Sequence, residues 1–226
     1  MRRSASIVKG NARKRSVDFG LYLITDRRLS NNALAFHNAL RDALRGGVKA
    51  VQLREKDLGT RELLILAVKM RKLTLKFNAR LFINDRFDVA LAVGADGVHL
   101  TQKSIPPGAV RNVVKDRLLI GVSTHSLKEA RRAEREHADF VTLGPVYGTP
   151  SKRRYGPPVG LDTLKKVCSR LTIPVFAIGG IKSSRIQDVR DAGAYGVALI
   201  SEIFASDNVK KKSGELVSMT DSHSHR

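Results

Sequence analysis

Residues 50–77 read AVQLREKDLGTRELLILAVKMRKLTLKF, and this stretch decides the fold class. Its first residues, Ala50 to Leu53, carry no charge and show no alternation, which is typical of a short strand buried on both faces. From Thr60 to Phe77 apolar residues recur every three or four positions, which predicts an amphipathic helix. Thr60 also stands where the N-cap of that helix is expected. The stretch therefore predicts one unit of strand followed by helix.

The same strand–helix unit recurs along the whole chain. Eight short β-rich runs are separated by segments with helical spacing, such as Asn32 to Arg45. Apolar strands that alternate with helices indicate a parallel sheet covered on both faces. Eight units in about 190 residues favour an α/β fold of the (β/α)8 TIM barrel type, as a single domain, over an open doubly wound sheet. The runs begin at Leu21, Ala50, Leu81, Gly97, Leu119, Phe140, Val175 and Val197.

Charge and apolar pattern divide the 226 residues into one predicted domain and two tails. Residues 1–17 contain several basic residues, no acidic ones and no apolar periodicity, which predicts a disordered basic tail. Residues 18–206 hold all the strand–helix units and are predicted to form the catalytic barrel. Residues 207–226 include Lys210-Lys211-Lys212 and show no core pattern, so we expect a polar C-terminal tail.

Composition excludes several classes of protein. Cys168 is the single cysteine, so we expect no intrachain disulfide and no zinc finger, and a cytoplasmic location is favoured. No apolar run approaches the roughly 18 residues that span a bilayer, so we expect no membrane segment. The net charge of +20 favours an anionic partner. Because aromatic residues are only 5% and no nucleic-acid-binding motif is present, phosphorylated small molecules are favoured over nucleic acid.

Polar residues collect where the predicted strands end, and a TIM barrel carries its active site at those ends. Arg54 and Lys56 alternate with apolar Leu53 and with Glu55, so the two cations share one face of an extended segment. Lys152 follows a loop that is rich in Gly and Pro. Three cations that converge on a barrel mouth indicate a substrate with more charge than one carboxylate, and a diphosphate fits.

Two further strand ends suggest a phosphate and a metal ion. Gly179-Gly180 ends the seventh strand and Ser201 ends the eighth, where barrels of this type commonly bind phosphate through backbone N–H groups. A plain tight turn is the alternative for the two glycines. Asp85 follows the third strand and is a candidate ligand of Mg²⁺, with the N-cap of the next helix as the alternative.

Six blocks of sequence, in order at the predicted strand ends, resemble the thiamine phosphate synthase family over residues 20–205. Those enzymes are TIM barrels of the thiamine phosphate synthase and thiazole tautomerase superfamily. The blocks are Gln52-Leu53-Arg54-Glu55-Lys56, Phe82-Ile83-Asn84-Asp85-Arg86, Gly94-Ala95-Asp96-Gly97-Val98-His99-Leu100, Gly121-Val122-Ser123-Thr124-His125-Ser126, Gly144-Pro145-Val146-Tyr147-Gly148-Thr149-Pro150-Ser151-Lys152 and Ala177-Ile178-Gly179-Gly180-Ile181.

The resemblance implies a transferase of thiamine biosynthesis. Its family couples 4-amino-2-methyl-5-(diphosphooxymethyl)pyrimidine with a thiazole phosphate, and releases diphosphate. Carried over by position, the resemblance makes Arg54, Lys56, Ser123 and Lys152 the catalytic residues, and these four bind the pyrimidine diphosphate together with Gln52 and Asn84. It places Mg²⁺ on Asp85. It assigns the thiazole and its phosphate to Thr149, Pro150, Ser151, Gly180, Ile200 and Ser201.

The chain departs from the family pattern in two places. After His99-Leu100 the family reads Gly-Gln-x-Asp and uses this Asp as a second magnesium ligand, whereas Ser104 stands there in this chain. Because a neutral hydroxyl is a poorer ligand for a hard dication, we expect weaker binding of Mg²⁺. After Ile203-Phe204 the family's amphipathic eighth helix is replaced by a short polar segment.

Two other functions stay open at the level of sequence. His125 matches the acid–base histidine of the thiazole tautomerases, which act on a thiazole carboxylate phosphate. Against that activity, Gln52, Lys56 and the Asn84-Asp85 pair have no purpose in an enzyme that handles no diphosphate. A non-catalytic barrel, or a protein that binds through its basic tail, is the other alternative. The oligomeric state is also open, with a homo-oligomer among the options.

Overall fold

Eight parallel strands close into a barrel in the computed structural model of the chain, which describes residues 16–149 and 157–221. Each strand pairs with its neighbour in sequence, and β1 pairs with β8 to close the ring. The predicted (β/α)8 barrel is therefore confirmed. The strands are β1 (Leu21–Ile24), β2 (Ala50–Leu53), β3 (Arg80–Asn84), β4 (Gly97–Leu100), β5 (Leu119–Thr124), β6 (Phe140–Leu143), β7 (Val175–Ile178) and β8 (Gly196–Leu199).

Helices cover the outside of this barrel. Leu40 and Met70 on the first two helices are buried in one apolar cluster with outward-facing strand residues such as Leu53. Among the described residues, no helix has the length and apolar character that a membrane span requires. The helices are α1 (Ala33–Arg45), α2 (Thr60–Lys76), α3 (Phe87–Ala92), α4 (Pro107–Val114), α5 (Leu127–Arg135), α6 (Gly160–Cys168), α7 (Ile186–Asp191), α8 (Ser201–Phe204) and α9 (Val209–Thr220).

Aromatic rings fill the interior of the barrel. Tyr22, Phe82, Phe140 and Phe176 are fully buried, and the ring centroids of Tyr22 and Phe82 lie 5.2 Å apart in an edge-to-face arrangement. Because side chains alternate along a strand, residues two positions after an inward-facing residue face the same axis, nearer to the carboxyl end. This alternation lines the mouth of the barrel with Ile24, Gln52, Asn84, Ser123, Thr142 and Ile178.

The C-terminal segment corrects one prediction. Residues 209–220 form the helix α9. The folded domain therefore continues past residue 206, and the segment up to Asp221 is not the polar tail that the sequence predicted. The helix packs against α1 and buries Ser213, Leu216 and Thr220. Gly46 at the end of α1 allows this approach, because a Cβ there would lie 2.5 Å from the carbonyl oxygen of Lys210. Residues 222–226 lie outside the described residues.

The two described ends of the chain meet at the amino-terminal end of the barrel. α9 finishes beside the start of β1, where the carboxylate of Asp221 accepts a hydrogen bond from the backbone of Gly20. Val17, which the sequence assigned to the basic tail, packs beneath the aromatic interior, and its carbonyl accepts a 2.7 Å hydrogen bond from Tyr195. The folded body therefore begins before residue 18. Residues 1–15 lie outside the described residues, so their disorder stays a prediction.

Candidate active site

Two amide side chains meet at the mouth of the barrel. Gln52 near the end of β2 donates through Nε2 to Oδ1 of Asn84 at the end of β3, over 3.2 Å. Both side chains are buried, with exposed fractions of 1% and 9%. The Oε1 atom of Gln52 has no hydrogen-bond partner within the described residues. Because a buried acceptor without a donor costs free energy, this oxygen suits a ligand that brings an N–H group.

Asp85 continues this chain of hydrogen bonds. Its carboxylate accepts a 2.9 Å hydrogen bond from Nδ2 of Asn84 through one oxygen and a hydrogen bond from Oγ of Ser104 through the other. The residue has a left-handed φ of 61°, which turns the chain sharply after β3. The N-cap position of α3 belongs to Arg86, without a side-chain cap. The interpretation of Asp85 as an N-cap is therefore wrong.

Ser104 is held beside Asp85 by its own loop. Its Oγ accepts a 2.6 Å hydrogen bond from the backbone N–H of Thr101 and lies 2.9 Å from the Oγ1 of Thr101. In the part of the chain that the structure describes, no group of three or more His, Cys, Asp and Glu residues is arranged to hold a metal ion. Mg²⁺ prefers carboxylate oxygen as a ligand, so Asp85 can hold this ion only if water and substrate oxygen atoms supply the other ligands.

The segment that carries Arg54 and Lys56 is anchored by Glu55. This buried carboxylate accepts a 2.7 Å hydrogen bond from Oγ1 of Thr25, and the same Oγ1 accepts the backbone N–H of Arg54 over 3.0 Å. Arg27 adds backbone and guanidinium hydrogen bonds to Glu55. Arg54 is half-buried and Lys56 is exposed. We did not predict Glu55 as a site residue, although its alternation with the two cations was visible.

Part of the predicted cation cluster lies outside the described residues. Pro150, Ser151 and Lys152 fall in the gap between residues 149 and 157, so the convergence of Lys152 with Arg54 and Lys56 stays a prediction. Thr149 is the last described residue before that gap and is half-buried.

Ser123 near the end of β5 belongs to a second line of polar side chains. Its Oγ lies 3.0 Å from Nε2 of His99, and Nδ1 of the same ring lies 3.4 Å from the hydroxyl of Tyr22. His99 is 2% exposed. Burial, and then the positive charge of Arg54, lower the pKa of His99 to about 3, so its imidazole is neutral. Neither His99 nor Tyr22 was among the predicted site residues.

The loops after β6 and β7 touch each other at the predicted phosphate site. Gly180 has a positive φ of 65°, and a Cβ on it would lie 2.8 Å from the carbonyl oxygen of Gly148. The backbone N–H of Tyr147 donates to the carbonyl oxygen of Gly179 over 3.0 Å. Ile200 is half-buried and Ser201 begins the short α8 with its side chain exposed. The two glycines are therefore needed for the turn, and their contact with a phosphate stays a prediction.

His125 lies on the loop after β5 with an exposed ring. Its Nδ1 is 2.5 Å from the carbonyl oxygen of Gly144, which can only accept, so Nδ1 carries a proton and donates to this oxygen. Its backbone N–H donates to Glu129 over 2.7 Å. These contacts hold His125 between β5 and β6.

The fold and the mouth define an enzyme of the (β/α)8-barrel class, with amide, carboxylate, hydroxyl and guanidinium groups gathered at the carboxyl ends of its strands. The family model described as thiamine monophosphate synthase matches residues 21–203, and the chain belongs to that family. The family predicted from the six sequence blocks is confirmed.

Similar proteins agree with this assignment over most of their length. A protein of Geobacter sulfurreducens, named only provisionally as a thiamine-phosphate synthase, is 51% identical over 205 residues, which are 90% of this chain and 95% of that protein. The thiamine-phosphate synthase of Clostridium novyi is 39% identical over 90% of this chain and 99% of its own. The solved thiamine phosphate pyrophosphorylase of Pyrococcus furiosus is 37% identical, covers 90% of this chain and 96% of its own, and superposes with a TM-score of 0.81.

Proposed function

We propose that this chain is a thiamine phosphate synthase that transfers an aminopyrimidine methyl group from diphosphate to the nitrogen of a thiazole phosphate. The names of the similar proteins support the reaction. The observation that carries the proposal is the continuous chain of hydrogen bonds across the mouth, from Gln52 through Asn84 and Asp85 to Ser104. Polar groups in this arrangement suit an anionic diphosphate, which accepts hydrogen bonds and binds cations.

Gln52 is proposed to recognise the amino group of the pyrimidine. Its Nε2 is engaged by Asn84, which assigns the amide orientation and leaves Oε1 as a buried acceptor. An amino group on a flat aromatic ring would supply the missing donor. A site that hydrogen-bonds its ligand in this way discriminates strongly against an analogue without the amino group, because the buried acceptor then stays unpaired.

The reaction needs charge stabilisation more than proton transfer. In the proposed reaction the methylene C–O bond breaks and its electron pair leaves with the diphosphate, while the aminopyrimidine stabilises the methylene cation. The lone pair of the thiazole nitrogen then forms the new C–N bond. Arg54, Lys56 and Lys152 stabilise the departing negative charge, and Ser123 adds a hydroxyl contact. Alignment of the thiazole nitrogen behind the methylene group supplies the remaining rate acceleration.

Mg²⁺ is proposed to be held by Asp85, with the hydroxyl of Ser104 in the second position. The ion would supply neutralisation of diphosphate charge. The fit rests on the carboxylate of Asp85, which is hydrogen-bonded to neutral donors on both of its oxygens. Binding of the thiazole phosphate is proposed at the touching loops after β6 and β7, together with the segment after β8. The residues proposed there are Thr149, Pro150, Ser151, Gly180, Ile200 and Ser201.

A coupling assay tests the proposed function. The purified chain, supplied with the pyrimidine diphosphate, the thiazole phosphate and Mg²⁺, is expected to form thiamine phosphate and diphosphate in equal amounts. Gln52→Ala should raise KM for the pyrimidine diphosphate by roughly tenfold or more, the size of one lost hydrogen bond to a buried group. Gln187→Ala, which removes an exposed glutamine of α7, is the matched control. No product from wild type would overturn the proposal.

A further inference from the structure

We propose that Tyr22 and His99 fix the direction of the hydrogen bond made by Ser123, so that the Ser123 hydroxyl always donates to the bound pyrimidine diphosphate. His99 and Tyr22 thereby act as positioning residues that do not touch the substrate. The identity of the ligand rests on the proposed function, whereas the direction of the hydrogen bonds rests on the structure alone.

The three side chains form a line from the aromatic interior to the mouth. Tyr22 comes from β1, His99 from β4 and Ser123 from β5. The Tyr22 hydroxyl lies 3.4 Å from Nδ1 of His99, and Nε2 of His99 lies 3.0 Å from Oγ of Ser123. Tyr22 is 0% exposed and His99 is 2% exposed, while Ser123 is half-buried. The inner end of the line is therefore dry, and the outer end meets the substrate.

The burial of Tyr22 determines which nitrogen of His99 carries the proton. The phenol of Tyr22 is fully buried, and Nδ1 of His99 is the one acceptor that the described residues bring to it. If Nδ1 carried a proton, it would donate to the tyrosine oxygen, and the buried O–H of Tyr22 would have no acceptor. Since a buried donor without an acceptor is costly, Tyr22 donates and Nδ1 accepts.

The position of the proton on His99 also determines the direction of its hydrogen bond with Ser123. A neutral imidazole carries one proton, so Nε2 bears it when Nδ1 accepts. Nε2 then donates to Oγ of Ser123, and the serine cannot donate back. The hydroxyl proton of Ser123 is left for an acceptor at the mouth, such as a phosphate oxygen or ring nitrogen of the pyrimidine diphosphate. With the opposite direction, Ser123 would turn a lone pair toward an anionic substrate.

The substitution Tyr22→Phe tests the line at its inner end, because it removes the hydroxyl and keeps the ring. Nitrogen-15 NMR of the full chain, with the His99 signal identified by its loss in His99→Gln, is expected to show the Nε2–H tautomer in wild type. Tyr22→Phe should move part of the population to Nδ1–H. It should also lower kcat/KM for the pyrimidine diphosphate by about fivefold to tenfold, the size of one misdirected hydrogen bond.

A double substitution separates positioning from general damage. In the Ser123→Ala background, Tyr22→Phe is expected to change kcat/KM by less than about twofold, since its effect passes through the missing hydroxyl. Tyr195→Phe is the matched control: it removes a phenol hydroxyl that bonds to the carbonyl of Val17 at the opposite end of the barrel. It should leave the His99 tautomer and the coupling kinetics as in wild type.

The outcomes against the proposal are specific. An Nδ1–H tautomer in wild type overturns it, and so does an equal loss of kcat/KM from Tyr22→Phe with and without Ser123. If wild type forms no thiamine phosphate but shows the Nε2–H tautomer, the proposed function fails while the hydrogen-bond direction is supported. The NMR measurement thus separates the two failures.

Discussion

Ser104 donates a hydrogen bond from its hydroxyl to the carboxylate of Asp85, across the space between the loops after β4 and β3. The family pattern places a second carboxylate at this position. Two carboxylates so close together would repel each other unless a cation lay between them. The serine removes that repulsion, and its hydrogen bond to Asp85 joins the two loops directly. We therefore expect Mg²⁺ to bind mainly together with the diphosphate.

Ser104→Asp is expected to lower the Mg²⁺ concentration needed for half-maximal coupling, because a carboxylate is a stronger ligand for this ion than a hydroxyl. The measurement is coupling rate against Mg²⁺ concentration at saturating substrates. Ser104→Ala, which removes the hydroxyl and adds no charge, is the control and should not lower that concentration. Asp85→Ala should abolish the response to Mg²⁺ together with most activity. An unchanged requirement in Ser104→Asp, or full wild-type activity in chelator, would contradict this account.

Arg54→Ala and Lys152→Ala are each expected to slow coupling tens-fold or more. A lost charge-assisted hydrogen bond to the leaving diphosphate costs about 1.5–3 kcal/mol in the transition state. Single-turnover measurements with both substrates bound isolate this step from product release. Arg131→Ala removes the same positive charge from an exposed position of α5 and serves as control. Unchanged turnover in both site variants would show that other groups carry the charge of the leaving group.

His125→Asn distinguishes the synthase from the tautomerase. A synthase needs no acid–base group at this position, so the variant should keep most of its coupling activity. A tautomerase that used Nε2 of His125 as its base would lose nearly all isomerisation of the thiazole carboxylate phosphate. Both reactions should be measured on the same preparation. Loss of coupling in this variant would show that His125 contributes to the synthase site.

Leu216→Ala is expected to destabilise the barrel by about 2–5 kcal/mol, the usual cost of removing a buried leucine side chain. Leu216 is 0% exposed between α9 and the rest of the apolar core. Met219→Ala changes a residue of the same helix that is 38% exposed, and it should cost much less. Urea unfolding of the two variants gives the comparison. Equal and small effects would mean that α9 adds little to the fold.

The barrel could be predicted from the sequence because its strands are buried on both faces and are largely uncharged, whereas its helices are buried on one face and are amphipathic. Uncharged runs and amphipathic segments alternate clearly, and the predicted first residues of β1, β2, β4, β5, β6 and β7 match the structure. α9 was missed for a physical reason. Its buried face consists largely of small residues such as Ser213 and Thr220, and three lysines in a row hide the remaining apolar spacing.

The site was predictable where strand ends alone determine position. Gln52, Asn84 and Asp85 do lie together, as expected from adjacent parallel strands. The line from Tyr22 through His99 was not predictable, since Tyr22 and His99 are 77 residues apart and meet only through the inward alternation and register of β1, β4 and β5. A sequence motif shows which residues recur at a strand end. It does not show which buried group determines where a neighbouring side chain carries its proton.

The meeting of α9 with the start of β1 has a consequence for how the chain can be rearranged. Asp221 bonds to the backbone of Gly20, and β8 pairs with β1, so both described ends of the polypeptide belong to one junction in the ring. A circular permutant that joins these ends by a short linker and opens an exposed loop on the amino-terminal side of the barrel would keep every strand pair and leave the mouth untouched. The same closed barrel could therefore form from chains that begin at different strands.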